Sequence, residues 1–289
     1  FASYREGFKS GSFNTVVLID PATDASFNEE TVRGGEVGLK AIFLSDQIVL
    51  NGAGYYYRYK GLQVGASEVT PTGGIAFRTL NAASASVKGV EFDASYRPAA
   101  LKGLTLRAAA NYNVGRYKDF PNAPCGNNQT IAQGCDQLFS PVTGTFNAQD
   151  LAGAPLVRSP KWVFNAGVDF ARQLTDSIDF GIGGSVAYSS SYSQAVVNLP
   201  GFRQDKYAKI DARVSLGASD ESWEVAMIGR NLTNRITAAS CFNANLNGAV
   251  IFGGQVAGAQ TGGPAGDDFK VCAPERGRAL WLQLTLRPR

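Results

Sequence analysis

The stretch from Val87 to Val114 alternates between apolar and polar residues through two successive runs. The apolar positions are Val90, Phe92, Ala94 and Tyr96 in the first run, and Leu104, Leu106, Ala108, Ala110 and Tyr112 in the second. A period of two is the period of a β-strand, because successive side chains of a strand point to opposite faces. The Pro and Gly between Arg97 and Gly103 break strand pairing and favour a short turn. The sequence therefore predicts an antiparallel hairpin with one apolar face and one charged face.

The length of these runs suggests a membrane-spanning hairpin. A tilted strand needs roughly 9 to 11 residues to cross a bilayer, and each apolar row ends in a Tyr, which suits a membrane–water interface. A slip of one residue in the register would place Glu91, Asp93 and Arg107 in lipid. A basic residue near the midplane costs about 2 to 4 kcal/mol, so this cost should fix the register with the charged face turned to a water-filled lumen.

The composition narrows the class of protein further. The chain has 289 residues, 44% of them hydrophobic, and no apolar run approaches the roughly 18 residues of a transmembrane helix. Its net charge is only +3, and the basic residues are spread along the chain, which argues against a nucleic-acid partner. Histidine is absent, so Ser-His-Asp catalysis and His-ligated zinc are excluded. We expect no enzyme activity, no cofactor and no metal site.

Four cysteines are present, and no two of them have the C-x-x-C spacing of a metal or redox site. In a non-cytosolic all-β chain they favour disulfides. Of the three possible connectivities, proximity along the chain favours Cys125 with Cys135 and Cys241 with Cys272. Both pairs fall in predicted long loops.

Alternating runs continue to both ends of the chain without a linker, which predicts a single β-barrel unit over residues 1–289 with about ten strands. Short turns and long loops alternate, and this asymmetry is typical of outer-membrane barrels. One such loop is expected between about Gln63 and Val87. The residues expected to face the lumen are Glu36, Lys40, Glu91, Asp93, Arg107, Asp169, Lys209, Asp211 and Arg213. Those expected to face lipid are Phe164, Val168, Ile210, Val214, Leu282 and Leu284.

Two polar groups allow more than one interpretation. Tyr55, Tyr56, Tyr57 and Tyr59 follow one another so closely that the alternation cannot assign their faces; an interfacial aromatic girdle is favoured over stacking on a ligand. Lys209, Asp211 and Arg213 alternate along one strand face and are expected to neutralise one another, rather than to guide an anion.

Several short segments, in this order and spacing, resemble the C-terminal half of TonB-dependent outer-membrane receptors. They are Tyr4–Gly11 (YREGFKSG), Glu29–Thr31 (EET) with Glu36–Lys40 (EVGLK), Lys88–Asp93 (KGVEFD), Ala152–Pro155 (AGAP) with Ser159–Trp162 (SPKW), Asn231–Asn234 (NLTN) and Glu275–Arg278 (ERGR). The resemblance implies a barrel of about 22 strands, of which these would be the last ten. It also implies an N-terminal plug and a TonB-contacting segment, and nothing in this sequence resembles either.

One departure from the family is the end of the chain, Arg287-Pro288-Arg289, where family members usually end in an aromatic residue. Phe1 is also expected to lie in mid-strand, so we expect the true N-terminus elsewhere.

The resemblance implies uptake of a scarce nutrient, such as a ferric siderophore, a vitamin or an oligosaccharide, across the outer membrane of a Gram-negative bacterium. The expected partners are TonB, through a plug segment outside this chain, the outer-membrane lipid, and the N-terminal barrel half or a second polypeptide that closes the barrel. Two alternatives stay open. One is a passive porin-like channel, and the other is a secreted β-sandwich adhesin.

Overall fold

The computed structural model describes residues 1–15, 25–69, 75–126, 129–141, 145–197, 199–243 and 270–287. The middle of the first loop, the glycine-rich middle of the last loop and the final Pro288 and Arg289 lie outside the described residues, as does the middle of the loop expected after Gln63. Among the described residues, no helix is long and apolar enough to cross a membrane.

Ten antiparallel strands form one sheet in which each strand lies beside its neighbours in sequence. They are β1 (Ala2–Lys9), β2 (Glu30–Phe43), β3 (Ile48–Val69), β4 (Ile75–Tyr96), β5 (Leu104–Asp119), β6 (Trp162–Thr175), β7 (Ile178–Ser189), β8 (Tyr207–Ala218), β9 (Trp223–Arg230) and β10 (Ala279–Leu286). Short turns join the strands at one end, and long loops join them at the other except between β3 and β4, which extend to Val69 and from Ile75. The predicted all-β architecture and the predicted strand number are confirmed.

The sheet is open, because β1 and β10 are its two edges and do not pair with each other in the described part of the chain. Smaller elements occupy the long loops. They are the two-stranded pairs Ser12–Phe13 with Ser26–Phe27, Tyr192–Ser193 with Arg203–Gln204, and Ala238–Asn243 with Lys270–Pro274, the three-stranded sheet of Ala123–Pro124, Thr145–Gln149 and Gln137–Ser140, and the 3-10 helices Ile131–Gln133 and Pro200–Phe202.

The hairpin of β3 and β4 differs from the sequence prediction. Each strand has 22 residues, so the predicted loop between Gln63 and Val87 is wrong, and most of that segment is strand. Alternation is lost there because small residues such as Ala82, Ser84 and Ala85 occupy both faces. Their backbones still pair in one continuous register, from Ile48 opposite Tyr96 to Val69 opposite Ile75. About 11 residues of each strand therefore extend beyond the length needed to span a bilayer.

The register separates the sheet into two chemically distinct faces. One row crosses seven strands through Lys40, Asn51, Asp93, Ala109, Asn165, Ala187 and Lys209. The adjacent row, on the opposite face, runs through Ala41, Leu50, Ala94, Ala108, Ala166, Val186 and Ile210. By the same register, all nine residues expected to face the lumen share the first face, which we name the charged face. The six expected to face lipid share the second, which we name the apolar face.

The apolar face is not covered by protein. Leu282 is 72% exposed and Val37 is 68% exposed. A soluble monomer rarely leaves so continuous an apolar surface in water. The apolar clusters that are buried lie instead among the long loops, where one joins Ala66, Ala82, Tyr117, Phe120, Ala123, Leu151 and Val196, and the other joins Val197, Leu199, Phe202 and Cys241.

Disulfides join Cys125 to Cys135 and Cys241 to Cys272. The first ties the short strand Ala123–Pro124 to the segment before Gln137–Ser140. The second links directly opposite residues of the ribbon formed by Ala238–Asn243 and Lys270–Pro274. Both therefore stabilise loops rather than the wall of ten strands.

The two faces predict opposite effects of a new charge within the same strand. Val168→Arg on the apolar face of β6 should hinder assembly, because a basic residue near the bilayer midplane costs about 2 to 4 kcal/mol. Asn165→Arg on the charged face should be tolerated. The measurement is the yield of heat-modifiable, folded barrel in outer membranes, and equal yields for the two variants would contradict the membrane-barrel assignment.

Candidate functional site: the charged face and the pocket beneath the loops

Ion pairs join neighbouring strands across the charged face. Arg107 on β5 meets Asp169 on β6 at 2.5 Å, and Arg5 on β1 meets Glu36 on β2 at 2.6 Å. Asp93 accepts a hydrogen bond of 2.8 Å from the Asn51 side chain. Because several of these groups are more than half exposed, each pair contributes at most about 1 kcal/mol. Their main effect is to set the charge pattern of this surface.

Lys209, Asp211 and Arg213 each have an ion-pair partner on another element. Asp211 binds Arg230 and Arg213 binds Glu224, both pairs at 2.6 Å between β8 and β9, while Lys209 pairs with Glu275. The expected neutralisation along the strand is therefore wrong as a description of the contacts. Residues two apart on a strand are about 7 Å apart. Arg213 lies opposite Ile228 and Glu224 lies opposite Gly217, so the long Arg213 side chain reaches Glu224 diagonally across the two strands.

The structure assigns the four tyrosines that sequence alternation left open. Tyr55 lies opposite Glu36 and Gly89, and Tyr57 and Tyr59 follow on the same charged face. The Tyr55 hydroxyl is 3.3 Å from the side-chain oxygen of Asn113 on that face. Tyr56 alone is on the apolar face, 40% exposed. The girdle interpretation is therefore wrong for three of the four rings.

The protruding hairpin of β3 and β4 holds the first long loop in place. The Asn14 side chain donates to the Thr79 carbonyl at 3.0 Å and accepts from the Thr79 N–H at 2.7 Å, as a paired strand would. The Asn81 side chain likewise accepts from the Asn28 N–H at 2.7 Å and donates to the Asn28 carbonyl at 3.0 Å. The loop is thereby tied to the hairpin at two points.

Asn231 organises the start of the last loop. It is 6% exposed and has φ of 48°, a left-handed conformation that Asn adopts more readily than most residues. Its side chain donates to the carbonyls of Arg235 at 3.0 Å and Arg276 at 3.1 Å, and its backbone N–H donates to Asp211 at 2.8 Å. The Asn231–Asn234 segment singled out in the sequence thus ties both ends of the loop to β8.

Glu275, just before β10, anchors the other end of the same loop. It accepts hydrogen bonds from Lys209 and from the Thr237 hydroxyl, and Lys209 also donates to Thr237 at 2.7 Å. These hydrogen bonds from Lys209 and Thr237 lower the pKa of the Glu275 carboxyl from its ordinary value. The lowered pKa favours the charged form, so the anchor is lost only as the pH falls through the folded-state pKa.

A pocket of about 350 Å³ opens where the charged face meets the loops. Its lining includes Arg158, Asn165, Tyr192, Tyr207 and Glu275. Burial, and then the neighbouring Tyr207, raise the pKa of the Tyr192 hydroxyl, so this group remains a neutral donor at physiological pH. The Arg158 guanidinium lies among hydroxyl and amide groups, and the Glu275 carboxylate in the lining is already paired with Lys209. The guanidinium is therefore suited to an oxygen-rich, anionic ligand.

Sequence reasoning missed the pocket. Arg158 lies in a loop without alternation, and it reaches the pocket because its N–H donates to the Ser193 carbonyl at 2.8 Å, where the two loops meet. Tyr192 lies in the loop between β7 and β8, and Tyr207 begins β8, so no sequence pattern linked either of them to Arg158. No cluster of three or more His, Cys, Asp or Glu suited to a metal ion occurs within the described ranges.

Residues 1–243 match the family model described as "TonB dependent receptor-like, beta-barrel". This match, together with the single ten-stranded sheet, overturns the β-sandwich alternative. No curated protein matches the sequence.

Solved structures of similar fold are transport receptors. The ferric yersiniabactin uptake receptor FyuA from Yersinia pestis has a TM-score of 0.64 at 16% identity, covering 98% of this chain and 34% of that one. The siderophore receptor PiuA from Acinetobacter baumannii has a TM-score of 0.60 at 13% identity, with 98% and 32% covered. The ferric-catecholate import receptor Fiu from E. coli K12 has a TM-score of 0.56 at 14% identity, with 98% and 32% covered.

At these identities the structural similarity establishes the fold alone, and the chain spans about a third of the length of these relatives. The family model covers most of the chain and carries the assignment. The chain belongs to the TonB-dependent receptor-like β-barrel family, and it is an outer-membrane β-barrel protein of a Gram-negative bacterium.

Proposed function

We propose that this chain forms the C-terminal wall and external loops of a receptor that imports a ferric siderophore through coupling to TonB. The observation that carries the proposal is the charged face, a water-compatible surface opposite the apolar face of a wall that belongs to the TonB-dependent receptor-like family. FyuA is a ferric yersiniabactin uptake receptor, PiuA a siderophore receptor and Fiu a ferric-catecholate import receptor, which favours a ferric siderophore over the vitamin or oligosaccharide alternatives. The role is binding and transport, not catalysis.

The pocket beneath the loops is the proposed point of substrate contact. Arg158 is exposed and has no carboxylate partner among the described residues, so its charge is available to an anionic ligand. Tyr192 and Tyr207 offer two hydroxyls and two ring faces beside it. The loops around the pocket are held by the Asn231 and Glu275 contacts described above. Holding them in place lowers the entropy lost when a ligand binds.

We further propose that about twelve more strands close the barrel, supplied by other residues of the same polypeptide or by a second one. Open edges in lipid would leave backbone groups of β1 and β10 without partners, which closure removes. A closed barrel of ten strands alone would be nearly filled by side chains. Its interior would hold Glu36, Arg107, Asp169 and Arg213 with little water, and poorly solvated charges are costly. A wide barrel keeps them solvated.

Uptake kinetics test the siderophore proposal. In cells that express the receptor, we expect the uptake of radiolabelled iron as a ferric siderophore to cease when TonB is deleted. Arg158→Gln should raise KM by roughly 10- to 100-fold, the loss expected for a hydrogen bond to a charged group, with little change in maximal rate. The control is Arg172→Gln, an exposed arginine at the short-turn end, which should leave KM unchanged. Uptake that persists without TonB would instead indicate a passive channel.

The closure proposal has a separate test. The 289-residue chain expressed alone should not yield a monomeric, protease-resistant barrel in detergent, because both edges would be exposed. Co-expression with the segment that supplies the further strands should restore protease resistance. A folded, heat-modifiable monomer obtained from this chain alone would contradict the proposal.

A further inference from the structure

A group of basic residues lies on the apolar side of the sheet, beyond the apolar band. One row crosses five strands through Glu6, Arg33, Arg58, Ser86 and Arg116. Lys88 lies one row nearer the short-turn end, and Lys60 and Lys118 lie towards the long loops. We name Arg33, Arg58, Lys60, Lys88, Arg116 and Lys118 the basic patch, and all six are exposed.

The position of the patch relative to the apolar band is set by the register. The band begins at the row of Phe43, Ile48 and Tyr96 and ends at the row of Tyr4 and Tyr56. Along β3 these rows are eight residues apart, which is about 26 Å, or about 20 Å in height at a tilt of about 40°. The apolar band of outer-membrane barrels is about 25 Å tall. The patch therefore lies at the level of the lipid headgroups, on the side of the long loops.

Aromatic residues mark the same boundary. Tyr112 and Trp162 share the last full row of the band, with ring centroids 4.6 Å apart, and Tyr56 lies one row further. The Arg58 guanidinium lies 5.3 Å from the centre of the Tyr56 ring, and its Nε donates to the Tyr56 hydroxyl at 2.8 Å. Aromatic girdles of this kind occur at membrane interfaces. The height of the apolar band and the position of these aromatic rings therefore place the boundary at the same rows.

The patch has an excess of positive charge. Three acidic residues, Glu6, Glu29 and Asp119, adjoin its six basic residues. Arg33 meets Glu6 at 3.5 Å, and among the described residues no ion pair involves the other five. Arg116 donates to the Gly153 carbonyl at 2.5 Å, which fixes it against the loop. A surface turned towards membrane rather than towards another charged element has no structural need for this many unpaired cations.

The surface is also concave. A cleft of about 1300 Å³ is lined by Arg33, Arg58, Lys60 and Lys118 together with Tyr4 and Tyr56. The lining also includes the Glu29 carboxylate and the amides of Asn28 and Asn81, so the four cations outnumber the one anion. Cationic side chains and phenols bind phosphate by charge-assisted hydrogen bonds. Its lower border is the apolar band, so a ligand here must carry anionic groups above acyl chains.

We propose that the basic patch binds the phosphate groups of the phosphorylated lipid that forms the outer leaflet around the barrel. The charge, the height on the barrel and the adjoining apolar face all match a ligand with phosphates at one end and acyl chains at the other. The inference rests on the proposed orientation, with the long loops outside the cell. It does not depend on the identity of the transported substrate.

The test measures the affinity of the protein, purified from outer membranes in detergent, for bis-phosphorylated lipid A in mixed micelles. The variant Arg58→Gln, Lys60→Gln, Lys88→Gln should lose about 100-fold in affinity, at roughly fivefold for each basic residue near an anionic surface. The matched control Arg97→Gln, Lys102→Gln, Arg172→Gln removes three exposed charges at the short-turn end. We expect the control to bind as the unaltered protein does.

Two further measurements keep the proposal testable if the variant folds poorly. The unaltered protein should bind dephosphorylated lipid A far more weakly, and its affinity for the phosphorylated form should fall as salt rises. Inorganic phosphate at millimolar concentration should compete only weakly. Equal binding of the two lipids, equal loss in the control variant, or full competition by inorganic phosphate would each overturn the proposal. Because no transported substrate is present, a failure here is distinct from a failure of siderophore uptake.

Discussion

Backbone hydrogen bonding in a medium without water is the constraint on which this structure depends. Each unpaired N–H or C=O in the hydrocarbon layer costs several kcal/mol, and a continuous antiparallel ladder satisfies nearly all of them. The ladder in turn fixes the register, and the register fixes which face each side chain takes. Ion pairs, tyrosines and the apolar band all follow from that one pattern of pairing. The same constraint is the reason that we propose further strands beside β1 and β10.

The wall and the loops are stabilised in different ways. Across the apolar face of the wall the large side chains are exposed, whereas the buried residues Ala66, Ala82 and Tyr117 of β3, β4 and β5 pack against the loops. The loops resemble a small soluble protein, with two apolar clusters, two disulfides and buried polar contacts such as those of Gln129 and Gln149. The β3–β4 hairpin and the hydrogen bonds of Asn231 and Glu275 connect the loops to the wall. They hold the loops over the charged face, where the pocket forms.

The strands of the wall could be predicted from sequence because the alternation that specifies them lies within each strand. In Val87 to Val114 the alternation of apolar and charged residues gives strand, face and boundary together. The outer half of the β3–β4 hairpin could not be predicted, since both its faces meet protein or water and small residues satisfy either environment. The faces of the tyrosines from Tyr55 to Tyr59 were ambiguous because aromatic residues follow one another there and fall on both faces. The pocket was beyond prediction because Arg158 lies in a loop that contains no period. Only the contact of that loop with Ser193 brings Arg158 beside Tyr207 at the start of β8.

We infer that alternate residues of the wall face lipid and water, and labelling of single cysteines along β6 is the most direct test of this alternation. The four native cysteines are paired in disulfides, so one introduced thiol at a time can be probed with a membrane-impermeant maleimide in intact outer membranes. We expect cysteines at Asn165, Gly167 and Asp169 to react through the water-filled lumen, whereas those at Phe164, Ala166 and Val168 should stay unlabelled. Labelling without a two-residue period, or with the opposite phase, would contradict it.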